Sequence, residues 1–582
     1  MSKEFYIKSG EKFLAIIKNF SATEKTIFGF FVLIALISAL SMVWTINKYF
    51  LVSVPAHGGT LTEGIVGLPR SINPVLAFTD VDRDLSNLIY AGLMKYEKGN
   101  LIPDLAEKYN ISPDGLIYTF TLRNKLHFHD GAKLTTDDVE FTIQKAQDNI
   151  IKSPRRADWA NIIMKKVSPK EIQFILKQPY SPFLMNTTIG ILPKHIWNKV
   201  DSEQFIFSQY NIEPIGSGPY ELDKIKKNSD GIPISYTLSS FSQDDKEEAF
   251  ISKLHIYFYP NEKTALEDYT KGTIEAISRI SAGEAKRVAS TTLNDNIFHT
   301  SLPRIFGIFF NQNQATILTR NEVRQALNLA VDKNRIVNEV LFGYGIERDG
   351  PLLLNSVSYS SNRIPDDKSK EIMENRINQA KAILEKAGWS ENDKGVMERK
   401  NKKGSEILEL SIATADSPDL KQTAEIIKKG WEKIGARVTI KVFEYGDLYQ
   451  NIISTRKYDA LLFGESVGKN LDLYAFWHSS QRNSPGLNVA MYVNTKVDKL
   501  LEESRATLSA EKRDSVNSQI EKIIKEEVPA IFLYSPEFIY VMPKRVRGFE
   551  LEDIASPSDR FYGIDKWYIN TNNVWKIFNE TK

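Results

Sequence analysis

The strongest hydrophobic pattern in this chain of 582 residues is an apolar run near its N-terminus. Residues 27–46, IFGFFVLIALISALSMVWTI, include no charged residue. As a helix rising ~1.5 Å per residue, they would span ~30 Å, the thickness of the hydrocarbon core of a bilayer. The run therefore predicts a transmembrane helix, with Trp44 and Tyr49 as interfacial anchors.

The charges that flank this run predict its orientation. Lysine occupies positions 3, 8, 12, 18 and 25 before the run, whereas Lys48 alone follows it before Pro55. Because basic flanks remain in the cytoplasm, the large C-terminal part is expected on the extracytoplasmic side of the cell membrane, with the helix as a single-pass signal anchor. A cleaved signal peptide is the alternative, although its apolar region is normally only ~7–15 residues long.

Residues 406–463 alternate between strand-like and helix-like patterns. Ser417 before Pro418 is typical of a helix start, because serine caps the helix and proline fits its first turn. The predicted elements are strand 407–413, helix 418–435, strand 438–442, helix 446–456 and strand 458–463. This β-α-β-α-β order favours a parallel sheet, in which ligands bind at the carboxyl ends of the strands.

A second helical pattern lies earlier in the chain. Apolar residues recur at helical spacing between Val323 and Leu341, and Gly343 follows as a stop signal. Residues 118–123 alternate instead and predict a strand in a segment of short strands and turns. Together these patterns predict an α/β body.

Composition excludes several classes of protein. Lys and Arg total 75 and Asp and Glu total 73, and the net charge of +2 does not favour a nucleic-acid-binding protein. The chain has no cysteine, which excludes disulfides, thiolate metal sites, cysteine nucleophiles and a lipid-modified N-terminal cysteine.

One motif suggests an enzyme. Gly464-Glu-Ser-Val-Gly468 matches the G-x-S-x-G nucleophile elbow of serine hydrolases and follows a predicted strand. Its partners would have to be Asp472 and His478, since His478 is the one histidine after Ser466. All three would then crowd into one short segment, so a ligand-facing loop is the favoured interpretation and no catalytic residue is assigned.

Cofactor and metal motifs are weak. His127 and His129 alternate on one strand face as two possible metal ligands, but no third ligand is evident nearby. Gly216-Ser-Gly218-Pro219 lacks the third glycine of a dinucleotide loop, and the chain has no P-loop motif. The sequence therefore predicts no cofactor, no metal site and no ATP hydrolysis by this chain.

From Gly58 onward, ordered motifs resemble the family 5 extracellular solute-binding proteins of ABC importers, which include oligopeptide-, dipeptide- and nickel-binding proteins. The motifs are Gly58-Gly-Thr-Leu61, Asn73-Pro74, Leu88-Ile-Tyr-Ala-Gly-Leu93, Pro103-Asp-Leu-Ala-Glu107, Phe128-His-Asp-Gly131, Leu134-Thr-Thr-Asp-Asp-Val139, Leu192-Pro-Lys-His195, Pro214-Ile-Gly-Ser-Gly-Pro-Tyr220, Val323-Arg-Gln-Ala-Leu327, Ala330-Val-Asp-Lys333 and Lys386-Ala-Gly-Trp389. Each is modest alone, and their order along most of the chain carries the resemblance.

The resemblance implies a two-lobed α/β periplasmic-binding-protein fold (type II, with an extra subdomain) after the membrane helix. The expected segments are a cytoplasmic segment 1–26, the helix 27–46, a linker 47–57, lobe I in three parts (58–84, 214–303 and 544–582), the extra subdomain 85–213 and lobe II 304–543. The two chain crossings between lobes, near Pro303 and Pro543, would form a hinge.

The family also implies a function. A peptide, expected to be an oligopeptide, would lie between the lobes, held largely by main-chain hydrogen bonds, and be delivered to ABC permease subunits whose ATPase partners lie in the cytoplasm. A sensor or chaperone-like binding module with the same fold is the alternative.

Carried over by position, two loops would contact the ligand. Phe78, Thr79 and Asp80 belong to the lobe I loop, residues 77–81. The lobe II loop, residues 464–470, contributes Glu465, Ser466, Lys469 and Asn470. Relatives that bind peptides place an acid in this loop for the ligand's amino terminus. Glu465 is the nearest acid, but the family's Trp-x-x-Asp and Asp-Pro pattern is missing, and Lys469 could instead attract a carboxylate.

Overall fold

The computed structural model describes residues 16–97, 99–243, 248–291, 295–352, 366–401, 404–468, 472–551 and 554–576. The chain divides into two compact units. Met1–Gly58 with Tyr568–Lys582 forms the N-terminal unit, and Gly59–Trp567 forms the body.

Strands are numbered in chain order. They are β1 (Leu51–Ala56), β2 (Thr60–Val66), β3 (Met94–Glu97), β4 (Asn100–Pro103), β5 (Ala106–Ile111), β6 (Ile117–Leu122), β7 (Ile163–Ser168), β8 (Glu171–Ile175), β9 (Tyr220–Lys227), β10 (Pro233–Ser240), β11 (Lys253–Tyr259), β12 (Ala276–Ser278), β13 (Asp295–Ser301), β14 (Arg304–Phe310), β15 (Gly345–Glu347), β16 (Ser390–Glu391), β17 (Met397–Asn401), β18 (Gly404–Ile407), β19 (Glu409–Ala415), β20 (Arg437–Phe443), β21 (Ala460–Ser466), β22 (Ala530–Pro543) and β23 (Asn570–Trp575).

The α-helices are numbered in the same way. They are α1 (Ala22–Phe50), α2 (Asp80–Ile89), α3 (Thr136–Gln147), α4 (Arg156–Trp159), α5 (Phe183–Asn186), α6 (Lys194–Trp197), α7 (Glu262–Thr270), α8 (Ala282–Thr291), α9 (Asn321–Leu329), α10 (Lys333–Arg335), α11 (Asp366–Lys386), α12 (Pro418–Lys433), α13 (Tyr445–Asp447), α14 (Tyr474–Trp477), α15 (Thr495–Ala506) and α16 (Ala510–Glu527). Short 3₁₀ segments (Phe205–Phe207, Gln209–Asn211, Thr316–Thr319, Ser479–Gln481, Pro557–Phe561 and Ile564–Lys566) and π-helical segments (Ile336–Val340 and Leu448–Ile453) complete the set.

In the N-terminal unit, the apolar run lies within the single long helix α1. Ser21 caps this helix in a capping box with Glu24, and the helix has no buried residue. It is long and apolar enough to cross a membrane. Residues 47–57 were expected to form a linker, but residues 47–50 complete α1 and residues 51–56 form β1, which pairs antiparallel with β23. Residues 570–575, expected in lobe I, therefore belong to this ribbon.

The body is organised around a 12-stranded mixed sheet that two halves share. Its central strand is β22. The first part of β22 pairs with β14, and its later part pairs with β13 and β12. The apolar core follows this division, because Ile531 and Phe532 pack with one cluster while Ile539 and Val541 pack with another.

The predicted β-α-β-α-β unit is confirmed at one end of this sheet. Strand β19 lies between β20 and β21 and is parallel to both. Helix α12 begins at Pro418 as predicted, and it buries Leu420, Ile427 and Trp431 against the sheet. The second predicted helix is shorter and irregular, with one turn of α-helix followed by a π-helical segment.

The helix predicted between Val323 and Leu341 is interrupted. Helix α9 ends at Leu329, and the Asp332 side chain starts a new turn by accepting the Arg335 N–H. The indole N–H of Trp431 donates to the Leu327 carbonyl at 2.9 Å. A neighbouring helix thus satisfies a carbonyl at the end of α9, a tertiary contact that hydrophobic spacing does not reveal.

The Gly216-Ser-Gly218 motif has a packing role. A Cβ atom at position 216 would lie 2.0 Å from the Ile89 carbonyl oxygen, and one at position 218 would lie 2.6 Å from the Ile89 carbonyl carbon. The Gly218 N–H also donates to the Ile89 oxygen at 2.8 Å. Glycine is needed here because the two backbones touch at the C-terminal end of α2.

The His129 side chain forms hydrogen bonds with the backbone of the Gly216–Gly218 turn. The Gly216 N–H donates to its Nδ1, and its Nε2 lies 3.2 Å from the Gly218 carbonyl, so both ring nitrogens are used by a neutral imidazole. Burial lowers the pKa of His129 to about 4. His127 and His129 were considered as a possible pair of metal ligands, and among the described residues no group of three or more His, Asp or Glu could hold a metal ion.

We predict that the His129 contact makes the body sensitive to mild acid. The pKa of His129 is about 4 in the folded chain, against an ordinary value of 6.5, so only the unfolded chain gains a proton in this interval. Folding stability should fall by on the order of 2 kcal/mol as pH drops through this window. Chemical denaturation at several pH values measures it. The same profile in His129→Asn, which keeps an acceptor for Gly216, should be flatter; equal slopes would contradict the prediction.

Candidate functional site

The candidate ligand site lies where the parallel strands of the body end. The Thr414 hydroxyl donates to the Leu462 carbonyl at 3.1 Å, and the Asp416 N–H donates to the Phe443 carbonyl at 2.7 Å. These bonds hold the carboxyl ends of β19, β20 and β21 side by side. Tyr445 then stacks on Phe463 with ring centroids 6.4 Å apart, which gives the edge an aromatic surface.

The predicted lobe II loop begins later than expected. Strand β21 continues to Ser466 because β14 offers backbone partners as far as Arg304, which pairs with Ser466. Gly464, Glu465 and Ser466 are therefore strand residues, and their side chains alternate between the two faces of the sheet. Lys469 and Asn470 lie outside the described residues.

Glu465 is a buried acid near the carboxyl end of β21. Its side chain is buried, and its Oε1 has no hydrogen-bond partner among the residues that the structure describes. Burial raises the pKa of Glu465 well above its ordinary value. An ammonium group within a few ångströms of a buried carboxyl favours its charged form.

An aromatic pair covers Gly464, the neighbour of Glu465 on β21. Phe306 lies opposite Gly464 in the ladder, where a Cβ atom would come within 2.9 Å of the ring. The Phe306 ring stacks on Tyr534 of β22 with centroids 5.1 Å apart. Glycine at position 464 thus leaves room for the ring on this face of the strand, whereas the Glu465 side chain, one residue later, points to the opposite face beside Ile305.

On the lobe I side, the three predicted residues have different surroundings. The Phe78 side chain is 71% exposed and has the exposed apolar character expected of a ligand contact. Thr79 instead caps α2, accepting the Asp82 N–H while Asp82 accepts the Thr79 N–H. Asp80 forms ion pairs with Arg83 and Arg279, each at 3.4 Å. Thr79 and Asp80 thus have roles within the fold, and ligand contact by any of the three stays a prediction.

Asp80 belongs to a larger buried ion cluster. Arg279 also pairs with Asp84 at 2.6 Å, and fully buried Arg560 bonds both Asp84 and Glu63. Although burial opposes ionisation, Arg279 and Arg560 hold the pKa of Asp84 below its ordinary value. This cluster fixes the first turn of α2, and with it the loop that carries Phe78.

The hydrolase hypothesis does not fit the geometry. Ser466 lies in a strand rather than at a strand-to-helix turn. The His478 Nδ1 lies 2.7 Å from the Ser480 hydroxyl, and both carboxylate oxygens of Asp472 accept hydrogen bonds from Arg505. His478 and Asp472 therefore have other partners, and Ser466 does not sit at the turn that a nucleophile elbow requires.

Two arginines emerge that the sequence analysis missed. Buried Arg348 donates from Nε to the Ser535 hydroxyl at 2.8 Å and from Nη2 to the Ser301 hydroxyl at 3.2 Å. It thus joins the two strand segments that pass between the halves of the main sheet. Arg505 lies 3.8 Å from the centroid of the Tyr474 ring and 5.9 Å from that of Tyr180. No local motif marks either arginine, since their partners are distant in sequence.

Comparison with known proteins identifies the class. Residues 100–486 match the family model of the bacterial extracellular solute-binding proteins, family 5. This chain belongs to that family, which consists of binding proteins rather than enzymes. The two-lobed α/β fold expected from the sequence is confirmed by its structural neighbours.

The relatives include peptide-binding proteins. The oligopeptide-binding protein AppA of Bacillus subtilis is 28% identical over 527 residues, covering 88% of this chain and 92% of that protein. The dipeptide-binding protein of Escherichia coli is 24% identical, covering 87% of this chain and 94% of that protein.

Two solved structures of binding proteins superpose on most of this chain. That of AppA from B. subtilis with a nonapeptide superposes with a TM-score of 0.67 at 26% identity, over 89% of this chain and all of that one. That of NikZ from Campylobacter jejuni with Ni(L-His) gives 0.68 at 26% identity, over 88% of this chain and 99% of that one.

We predict that Glu465 destabilises the ligand-free protein at neutral pH. Because its pKa is raised in the folded state, its contribution to stability is greatest below 4.5 and is lost as pH rises. Glu465→Gln should therefore stabilise the empty protein by on the order of 1 kcal/mol near neutral pH, and should have little effect in acid.

Chemical denaturation of both proteins at each pH measures the effect. Glu425→Gln, on the exposed face of α12, is the matched control and should change nothing. A Glu465→Gln variant that is no more stable than this control near neutral pH would contradict a buried, protonated acid.

Proposed function

We propose that this chain is the extracytoplasmic binding component of an ABC importer, held at the membrane by α1, and that it delivers peptides to permease subunits. Membership of family 5 supports the transport role, and the peptide-binding relatives support the ligand class. The cytoplasmic ATPase is expected on partner subunits. The observation that carries the peptide assignment is Glu465, a buried carboxyl whose Oε1 lacks a partner among the described residues.

A peptide fits this acid for chemical reasons. A free amino terminus is a compact cation with several N–H donors, so it would satisfy the orphaned oxygen and stabilise the carboxylate together. The exposed ring of Phe78 and the stacked Tyr445–Phe463 pair would contact side chains of the ligand. Hydrogen bonds to the main chain of the peptide do not depend on its side chains, and water-filled pockets would accommodate many of those side chains. Both features favour broad specificity.

We propose that the hinge lies at the middle of β22 rather than at Pro543. Strand β22 changes partner after Tyr534, and the neighbouring crossing joins Ser301 to Arg304. The Leu302 N–H donates to the Pro536 carbonyl at 3.3 Å, so the two crossings run side by side. Arg348 bonds to both of them and would fix the axis about which the lobes rotate.

Contacts between the proposed subdomain and proposed lobe II support a closing movement. The Ser181 N–H donates to the Arg505 carbonyl at 3.0 Å, and a Cβ on Gly115 would come within 2.8 Å of the Leu508 side chain. Ser181 and Gly115 belong to the proposed subdomain, whereas Arg505 and Leu508 belong to proposed lobe II. These contacts would break on opening, so they favour the closed state in addition to what the ligand provides.

The binding test is calorimetry of the full chain in detergent with a mixed peptide library. We expect saturable binding, and N-terminal acetylation should weaken binding of an individual peptide by at least about tenfold because it removes the ammonium charge. A flat response to peptides, sugars and the nickel–histidine chelate would reject the transport role. Saturable binding of the chelate alone would reject the peptide assignment.

Glu465→Gln tests the residue separately from the function. The variant should bind free and acetylated peptides with similar, weak affinity, because the charge pair is lost from both. Glu425→Gln should keep the full preference for the free amino terminus. If Glu465→Gln also keeps that preference, another group binds the amino terminus while the proposed transport role stands.

We predict that Tyr180 contributes to affinity through closure alone. Removing its ring in Tyr180→Ala deletes a cation–π contact with Arg505 across the cleft, which should lower the closed population and weaken peptide binding by about two- to fivefold. The preference for a free amino terminus should not change. Phe207→Ala removes a 73% exposed ring from the same proposed subdomain and is the control. Equal affinities for the two variants would contradict this role.

A further inference from the structure

Helix α1 continues directly into an ordered ribbon. The helix ends at Phe50 and β1 starts at Leu51, whose N–H donates to the Asn47 carbonyl as the helix cap. Strand β23, from the opposite end of the chain, pairs with β1 along its whole length. The last described strand of the chain is thereby held at the end of the proposed membrane helix.

The polarity of this ribbon changes along its length. At the end next to the helix, Leu51 faces Trp575 and Val52 faces Val574 in the ladder. At the far end, β23 presents the polar run Asn570-Thr-Asn-Asn573. An apolar end beside an apolar helix and a polar end away from it match the steep polarity gradient between the hydrocarbon core and water.

Aromatic and basic side chains concentrate at the apolar end. Phe50 stacks on Trp575 with ring centroids 6.2 Å apart, and the Tyr49 ring is 73% exposed. The Lys576 ammonium lies 5.7 Å from the centroid of the Tyr49 ring, and the Lys48 ammonium lies 5.2 Å from that of Trp44. Rings that are apolar on their faces and polar at one edge, next to lysines, favour the headgroup region of a bilayer.

The length of α1 indicates the depth in a bilayer at which Tyr49 and its neighbours would lie. The charge-free run ends at Ile46, and Tyr49 lies three residues further along α1. At ~1.5 Å per residue this distance is ~5 Å, so a helix whose apolar run fills the hydrocarbon core would place Tyr49 in the interfacial layer.

We propose that the β1–β23 ribbon lies in the headgroup layer, with Trp575 and Lys576 forming a second, C-terminal contact with lipid. This inference rests on the proposed membrane anchoring by α1. A lipid partner fits better than a protein surface because two lysines flank the rings, where they would meet lipid phosphates. The C-terminal strand would then share in the attachment of the binding protein to the membrane.

The absence of native cysteine makes a direct test possible. Full-length Trp575→Cys, labelled with a nitroxide and reconstituted in phosphatidylcholine–phosphatidylglycerol vesicles, reports depth by collision with oxygen or with a water-soluble nickel chelate. We expect the oxygen-to-chelate ratio at position 575 to exceed that of Asn570→Cys, at the polar end of the same strand, several-fold. Equal, water-like ratios would overturn the inference, as would shielding of position 575 that develops only when permease subunits are added.

Two further measurements show whether a negative result reflects a missing ribbon, a missing membrane helix or a ribbon that does not contact lipid. Val52→Cys combined with Val574→Cys joins two paired positions, and failure to form this disulfide in the full chain would show that the ribbon is absent. The intact mass of the protein isolated from cells shows whether α1 is retained. Loss of α1 would overturn both the anchor and this inference, whereas a retained helix with a water-exposed position 575 would overturn the inference alone. Peptide calorimetry is independent of both results.

Discussion

The structure of the body depends on one strand that belongs to two halves of a sheet. Residues on the first part of β22 pair with β14 and pack into one core, and residues on its last part pair with β13 and pack into the other. Backbone hydrogen bonds therefore hold each half separately while a covalent strand joins them. Any rotation between the halves would be absorbed by the few residues around Pro536 and Leu302, which confines the proposed movement to an axis.

The buried ion cluster ties the lobe I loop to this same strand. Tyr540 of β22 donates to Glu63, which also accepts from Arg560, and Arg560 continues the network to Asp84 on α2. Such a cluster adds little net stability, because desolvation offsets the attraction between the charges. Removing one member is costly, however, since the others stay buried and unpaired. The cluster therefore contributes precise placement: the turn that presents Phe78 is fixed relative to the strand that carries the proposed hinge.

Sequence patterns predicted those parts of the molecule whose signals are local. The apolar run, the helix start at Ser417-Pro418 and the alternating strand are encoded within a few residues, and each corresponds to an element of the structure, although the Ser417 side chain makes no capping hydrogen bond. Strand β21 was predicted to end too early because its extension depends on pairing with β14, about 150 residues away along the chain. The same reason hid Arg348 and Arg505, whose partners come from other elements. The pocket residues were placed by resemblance alone, and the structure distinguishes Thr79, used as a cap, from Glu465, which has an orphaned oxygen.

In the proposed function, the orphaned Oε1 of Glu465 would link ligand binding to closure. A buried acid whose oxygen lacks a partner among the described residues is unfavourable whether it is protonated or charged, so it would make the empty protein with its lobes closed less stable than its packing alone would allow. An arriving ammonium would remove this cost only where Glu465 is surrounded by its apolar neighbours, because in water the same pair gains little. The ligand's charge would thus be worth more in the closed protein than in the open one, and this difference, rather than the strength of the contact itself, would shift the lobes toward closure. A solute without a cation at this position would gain no such difference, so the proposed role of the acid is to select among solutes by whether they can close the cleft.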